Sequence, residues 1–101
     1  MSGAKEAPDR LRLDKWLWAA RFFKTRSLAA DAIDGGKVKL NGHPVKPARE
    51  VKVGDTLDLS IGEAHWTVLV RAINAYRRPA PEARQLYEET AASHLAREQA
   101  A

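Results

Sequence analysis

The chain has 101 residues, of which 45% are hydrophobic and 30% are charged, and its formal net charge is +4. This length allows one domain with one core and excludes a catalytic domain joined to an accessory domain. The absence of cysteine excludes a disulfide framework and thiolate chemistry. The sequence has no signal-peptide pattern, and no apolar run approaches the roughly 18 residues that cross a bilayer, so we expect a cytoplasmic protein without membrane contact.

The positive charge is concentrated in one part of the chain. From Arg10 to Lys52 there are eleven Lys and Arg against four acids, whereas residues 53–101 have five Arg against seven acids. A chain that is basic in one half and mildly acidic in the other indicates a surface for a polyanion, and nucleic acid is the leading candidate. The small residues, Gly and Pro of residues 1–9 predict a flexible leader.

The first predicted helix rests on an apolar stripe at i, i+3, i+4 and i+7, formed by Leu13, Trp16, Leu17 and Ala20. Asp14 either caps this helix or orients a neighbouring guanidinium group. A second helix is predicted from Arg26 to about Asp34, because Thr25 or Ser27 can cap it. The pair Gly35-Gly36 then supplies a left-handed C-cap.

After the glycines the hydrophobic period changes to two, which predicts strands. Asn41-Gly42 is typical of a type I′ hairpin turn, and Pro44 places the returning strand at a sheet edge. Further strands are predicted over 57–61 and 66–73, the second of them central or covered on both faces. A last helix is predicted to open at Pro81 and to bury one side, formed by Ala83, Leu86, Tyr87 and Thr90.

Together these elements predict one α+β domain. Two N-terminal helices and a hairpin lie on a small, mostly antiparallel sheet, and a C-terminal helix follows. We divide the chain into the leader, a binding domain over residues 10–76 and a C-terminal helical extension over residues 77–101.

Cations cluster on the helix–helix–hairpin unit. A solvated face is the alternative for any single one of them, but phosphate binding needs clustered cations, and the start of the second helix adds free N–H groups. Trp18 and Phe22 can either stack on bases or pack inside the protein. Arg97 lies outside this unit, and we expect its removal to change neither folding nor binding. The cations of the cluster are Arg12, Lys15, Arg21, Lys24, Arg26, Lys37 and Lys39.

No pattern of a catalytic or metal site is present in the sequence. His43, His65 and His94 lack metal-ligand spacing, and there is no nucleophile triad, paired carboxylate motif or phosphate-binding loop. We therefore expect no enzymatic activity, no metal and no cofactor.

Two segments resemble a known family. RLDKWLWAARFFKTRSLA followed by GGKVKLNG is similar to the αL motif of the S-four RNA-binding domain, which is named after the fourth protein of the small ribosomal subunit. RRPAPEARQLYEET resembles a segment of the fifteen-kilodalton bacterial heat-shock proteins, stand-alone members of that family. The resemblance implies RNA contacts at Arg12, Lys15, Arg21, Lys24, Thr25, Arg26, Ser27, Lys37, Lys39 and Asn41, to which the aromatic residues Trp18 and Phe22 are added.

The resemblance also implies a function. Relatives of this kind bind ribosomal RNA on free large subunits that carry a nascent chain on tRNA, and they act in rescue under stress. Their long basic tail has no counterpart here, so we expect no tail contact and a lower affinity. The alternatives are a ribosome-assembly factor, a generic nucleic-acid binder with weak DNA binding, and an RNA-targeting module for a separate enzyme. We expect a monomer.

Overall fold

A computed structural model describes residues 9–100. The predicted leader, residues 1–9, lies outside this range except for Asp9. The two predicted N-terminal helices are present as α1 (Leu13–Ala19) and α2 (Arg26–Asp34), and they pack against each other. No helix within residues 9–100 combines the length and the apolar character needed to span a membrane.

The strands form two antiparallel sheets, which confirms the predicted α+β class. The small sheet pairs β1 (Leu11–Arg12) with β4 (Glu50–Val51). The large sheet contains β2 (Val38–Leu40), β3 (His43–Pro44), β5 (Thr56–Ile61), β6 (Ala64–Val70) and β7 (Tyr87–Glu89). Its order is β3-β2-β5-β6-β7, so the strand with Pro44 is at an edge and β6 lies inside, as predicted.

One face of the large sheet builds the core with the helices. Leu57 and Leu59 on β5 pair with Val68 and Trp66 on β6, and the first three of these side chains are fully buried. Since side chains alternate along a strand, the opposite face presents polar residues to solvent. The helices cover the inner face with side chains that have no accessible surface or almost none, namely Leu13, Trp16, Leu17, Ala29 and Ile33.

Local turn chemistry ends α2 and turns the hairpin. Gly36 has φ 79°, and its N–H donates to the Ile33 carbonyl while that of Lys37 donates to Ala32, which is the Schellman arrangement. Asn41 and its successor Gly42 have φ 52° and 86°, as a type I′ turn requires. The predicted left-handed C-cap and the predicted hairpin turn are therefore confirmed.

The predicted C-terminal helix beginning at Pro81 is wrong beyond its first turn. Only α3 (Ala80–Ala83) is helical, and a 3₁₀ turn over Arg84–Leu86 leads into β7. The C-terminal helix is α4 (Ala91–Ala100), and the Thr90 hydroxyl at its start accepts the Ser93 N–H at 3.1 Å. A helix through Tyr87 would leave the backbone of β6 unpaired at that edge, whereas the strand pairs with it in register from Val70↔Tyr87 to Val68↔Glu89.

The strand predicted over 66–73 is shifted. It begins at Ala64 and ends at Val70, and Ile73 is buried in the following loop. The apolar pattern correctly marked Ile73 as a core residue, but burial there comes from the loop folding over α1. The division at residue 76 stays a prediction, although the segment beyond it contributes β7 to the same sheet.

Candidate nucleic-acid interface

The predicted RNA-contact residues lie on α1, on the turn after it, at the start of α2 and on the hairpin. All of them are exposed except Lys15, Trp18 and Phe22, which are half-buried. The contacts among them divide the set into groups with different tasks.

Asp14 joins the two helices at the base of the cluster. Its carboxylate accepts hydrogen bonds from Arg12 Nε at 3.1 Å and Arg12 Nη2 at 2.8 Å, and Arg26 Nη2 lies 3.5 Å from its other side. Burial opposes ionisation of Asp14, but the hydrogen bonds from Arg12 and the charges of both arginines outweigh it and lower its pKa. One buried carboxylate thus holds two exposed guanidinium groups side by side. The expectation that Asp14 orients a guanidinium is confirmed.

The start of α2 contributes polar groups beside Arg26. Thr25 is the N-cap, and its hydroxyl accepts the Leu28 N–H at 3.0 Å, so this hydroxyl serves the helix. Ser27 is exposed in the first turn, where backbone N–H groups and the helix dipole favour an anion. An RNA phosphate near Arg26 would therefore find a positive helix end as well as a cation.

Arg21 occupies an unusual backbone position at the end of α1. Its φ is 69°, and the Arg21 N–H donates to Trp18 while the Phe22 N–H donates to Leu17. This is the same Schellman arrangement that ends α2, but with arginine where α2 has glycine. A side chain in the left-handed region costs about 1–2 kcal/mol. The Arg21 guanidinium also donates to the Arg78 carbonyl at 3.1 Å, which directs it toward the loop after β6.

Lys37 and Lys39 form a second basic group at the sheet. Lys39 stands between the buried Val38 and Leu40, so its side chain points to the outer face, opposite Asp58 on β5. Lys37, Lys39 and Asp58 line a shallow cleft of about 370 Å³. Because Asp58 offsets part of the charge, this group is a weaker anion site than the pair held by Asp14.

Asn41 has a structural task in the hairpin. Its Oδ1 accepts the Thr56 N–H at 2.9 Å, and its Nδ2 donates to Asp55 at 3.2 Å. Burial opposes ionisation of Asp55, but hydrogen bonds from Lys52 and Asn41 outweigh it and lower its pKa. With both ends of its amide engaged, Asn41 holds the hairpin against β5, which accounts for it without an RNA contact.

The two aromatic residues left open by the sequence differ in their surroundings. Phe22 lies in an aromatic cluster, with its ring centroid 4.6 Å from Tyr87, 5.9 Å from Trp66 and 6.3 Å from Trp16. This favours packing over base stacking for Phe22. Trp18 is half-buried, and the guanidinium of Arg77 lies over its ring at 6.0 Å.

Sequence reasoning missed Arg77, which holds the turn between the helices. Arg77 Nε donates to the Trp18 carbonyl at 3.0 Å, and Nη2 donates to the Phe23 carbonyl at 3.3 Å. These bonds satisfy carbonyl groups that the end of α1 leaves free. The string RRP marked a strand stop, and no local signal in it indicates a partner 59 residues away.

The expectation that Arg97 is an uninvolved surface residue is wrong. Its guanidinium lies over the Trp66 ring at 3.8 Å and forms two hydrogen bonds with Glu89, at 2.9 and 2.8 Å. The hydrogen bond from Arg97, against the opposing effect of burial and with help from Ser93, lowers the pKa of Glu89 from 4.5 to about 2. Arg97 therefore fastens α4 to the sheet.

Replacing Arg97 by alanine should lower stability in a pH-dependent way. The pKa of Glu89 is lower in the folded state, so its contribution is fully present above about pH 4.5 and is lost as the pH falls towards 2. Urea unfolding should show a clear loss for Arg97→Ala near neutral pH and a much smaller one near pH 2. Arg84→Ala, an exposed arginine outside the cluster, is the control. An equal loss for Arg97→Ala at both pH values would contradict the role of the ion pair.

Within residues 9–100 no group of three His, Cys, Asp or Glu side chains is placed to hold a metal ion. The chemistry of the arranged residues is instead that of a polyanion site: fixed guanidinium groups, a helix start and neighbouring lysines.

Comparisons with known proteins agree with this geometry. The family model of the S4 domain matches residues 11–57, which span β1 to the start of β5. Heat shock protein 15 of Escherichia coli strain K12 is 55% identical over 98 residues, which cover 96% of this chain and 74% of that protein. The chain belongs to the heat shock protein 15 family. The predicted membership of the S-four family is confirmed with it.

Two further comparisons place this heat shock protein 15 relative. The solved structure of heat shock protein 15 from Vibrio cholerae, described as trimeric, has a TM-score of 0.89 and 51% identity and covers 91% of this chain and 93% of that chain. A protein of Bacillus subtilis strain 168, the RQC P-site tRNA stabilizing factor, is 38% identical over 63 residues, covering 62% of this chain and 73% of that protein. The shared part includes the helix–helix–hairpin unit only insofar as the S4 match does, at residues 11–57.

Proposed function

We propose that this protein binds ribosomal RNA without catalysing a reaction, in the cytoplasm, and acts on free large subunits that carry a stalled nascent chain on tRNA. The observation that carries the proposal is the pair of exposed guanidinium groups held by buried Asp14 beside the start of α2. The relatives support it, since two are heat shock proteins in name and one is named for stabilising P-site tRNA.

The arrangement suits a phosphate backbone. Guanidinium groups form paired hydrogen bonds with phosphate oxygens, and holding them in place before binding reduces the entropy lost on association. Contacts of this kind set position and affinity but carry little sequence information. The major groove of A-form RNA is too narrow for side chains to read, so we expect recognition of a folded RNA junction or loop by its shape.

Arg26→Ala should weaken binding to free large subunits and lower the salt dependence by about one phosphate contact. Asp14 keeps Arg12 as a partner in this variant, so folding should change by less than about 0.5 kcal/mol. The measurement is co-sedimentation with free large subunits, mature ribosomes and duplex DNA at several salt concentrations.

The matched control is Arg84→Ala, which removes an exposed arginine from the 3₁₀ turn. Equal losses for Arg26→Ala and Arg84→Ala would indicate diffuse charge attraction. Equal affinity of the wild-type protein for large subunits and duplex DNA would leave a generic nucleic-acid binder. Preference for immature large subunits over mature ones without a nascent chain requirement would favour an assembly factor, and co-purification of a catalytic protein would favour a targeting module.

The proposal includes a monomer as the binding form. The exposed large apolar side chains of the described residues lie on separate elements, with Leu28 on α2, Val53 after β4, Tyr76 after β6 and Leu95 on α4. Sedimentation velocity at micromolar concentration tests this directly, and a trimer there would make the binding form of this protein the one described for the Vibrio cholerae relative.

A further inference from the structure

Tyr76 is the most exposed large apolar side chain among the described residues, with 69% of its surface accessible. It lies on the loop between β6 and α3, outside the S4 match at residues 11–57. Its backbone is held in place, because the Asn74 side-chain oxygen accepts the Tyr76 N–H at 2.9 Å. The loop therefore presents an aromatic ring to solvent from a fixed backbone.

Two arginines fasten this loop to the turn between the helices, one from each side. Arg77 donates from the loop to the carbonyls of Trp18 and Phe23, and Arg21 donates from the turn to the carbonyl of Arg78. Hydrogen bonds in both directions fix the loop beside the basic turn. Tyr76 is thus continuous with the proposed RNA face, two residues from the carbonyl that Arg21 holds.

The surroundings of Tyr76 combine positive charge with apolar surface. The guanidinium of Arg78 lies over the Tyr76 ring, 5.8 Å from its centroid, and the high exposure of the ring leaves its other face open. Tyr76 and Arg78 border a cleft of about 660 Å³ whose floor includes Ile73 and Leu86 and whose rim also holds Glu82. A cleft of this size accommodates a nucleotide.

We propose that Tyr76, Arg78 and Arg21 form a stacking site for an unpaired RNA nucleotide. The base stacks on the open face of Tyr76, and its phosphate groups lie against the two guanidinium groups. Exposed aromatic rings beside arginines bind single-stranded nucleotides in this manner, because every base has a π-face and every nucleotide a phosphate. The inference rests on the proposed function and extends its interface beyond the helix–helix–hairpin unit.

The cationic loop favours a nucleotide over a protein segment. Arg21, Arg77 and Arg78 bring three guanidinium groups to this edge, and Glu82 is the acid on the cleft rim. An apolar peptide would leave these cations without a counter-charge, whereas a phosphodiester backbone supplies one at each nucleotide. A protein partner on this surface becomes an outcome of the test.

The test compares Tyr76→Ala and Tyr76→Phe for binding to transcribed large-subunit rRNA, with Leu95→Ala as the control for loss of another exposed apolar side chain. Tyr76→Ala should raise the Kd roughly 5- to 150-fold at constant salt slope, because stacking adds affinity without phosphate contacts. Tyr76→Phe and Leu95→Ala should bind like the wild type. Arg78→Ala should weaken binding and also reduce the salt slope by about one. Ultraviolet crosslinking should join the Tyr76 peptide to an unpaired nucleotide.

The outcomes separate this site from the proposed function. Wild-type affinity for Tyr76→Ala together with a loss for Arg26→Ala would overturn the stacking site and leave the RNA-binding proposal intact. An equal loss for Tyr76→Ala and Tyr76→Phe would point to the hydroxyl group and overturn stacking. Absence of rRNA binding by the wild-type protein would overturn both, as would a co-purifying protein released by Tyr76→Ala. Thermal unfolding of each variant verifies that the fold is retained.

Discussion

Raising the salt concentration from about 50 to 200 mM should weaken binding to large-subunit rRNA by about a thousandfold. If five or six phosphates are neutralised, the slope of log K against log salt is roughly −5, at about −0.9 for each contact. The exposed cations available for such contacts include Arg21, Lys24, Lys37 and the pair Arg12 and Arg26. Asp14 and Asp58 offset part of the charge of their neighbours, so the slope should stay below the total number of cations in the segment.

Filter binding at a series of salt concentrations measures this slope. The Lys37→Ala and Lys39→Ala pair should reduce it less than Arg12→Ala and Arg26→Ala together do, since Lys39 lies opposite Asp58 on the neighbouring strand. A slope near zero would contradict the electrostatic basis of the interface.

Leu17→Ala should lower the free energy of unfolding by about 2–5 kcal/mol, the range for truncating a buried leucine. Leu17 has no accessible surface and belongs to the core cluster of α1, α2 and the sheet. The loss is a large part of the 5–15 kcal/mol that stabilises a typical domain, so the variant should be partly unfolded at physiological temperature.

Urea denaturation compares Leu17→Ala with Leu28→Ala, a leucine on α2 that is 50% exposed. The control should change stability by less than about 0.5 kcal/mol. A similar small change for both variants would mean that α1 is not anchored in the core through its apolar stripe.

The sequence predicted best where a few neighbouring residues decide the structure. The stripe of α1, the cap at Thr25, the glycine after α2 and the turn at Asn41-Gly42 are signals contained within one or two turns of chain. The edge position of Pro44 follows in the same way, because a proline cannot donate to a sheet hydrogen bond. Which of the cations bind RNA stays a prediction, and their clustering in the sequence is the basis for it.

Tertiary contacts decided the features that the sequence left open or mispredicted. Residues Tyr87–Glu89 form a strand because β6 offers an unpaired edge and because the Tyr87 ring packs on Phe22, a residue of the distant turn after α1. Arg97 is structural for the same reason, since Glu89 and Trp66 reach it only in the folded chain. Hydrophobic period and turn chemistry operate between near neighbours, and they carry no information about which distant segment will lie alongside.

The sequence by itself determined the α+β class, the two helices, the hairpin and the concentration of positive charge on one unit. Only the tertiary structure decided how that charge is held, through Asp14 between two arginines and through the reciprocal hydrogen bonds of Arg21 and Arg77. The physical reason is that charge is a property of composition, whereas the geometry of a guanidinium group depends on partners that folding brings within hydrogen-bond distance.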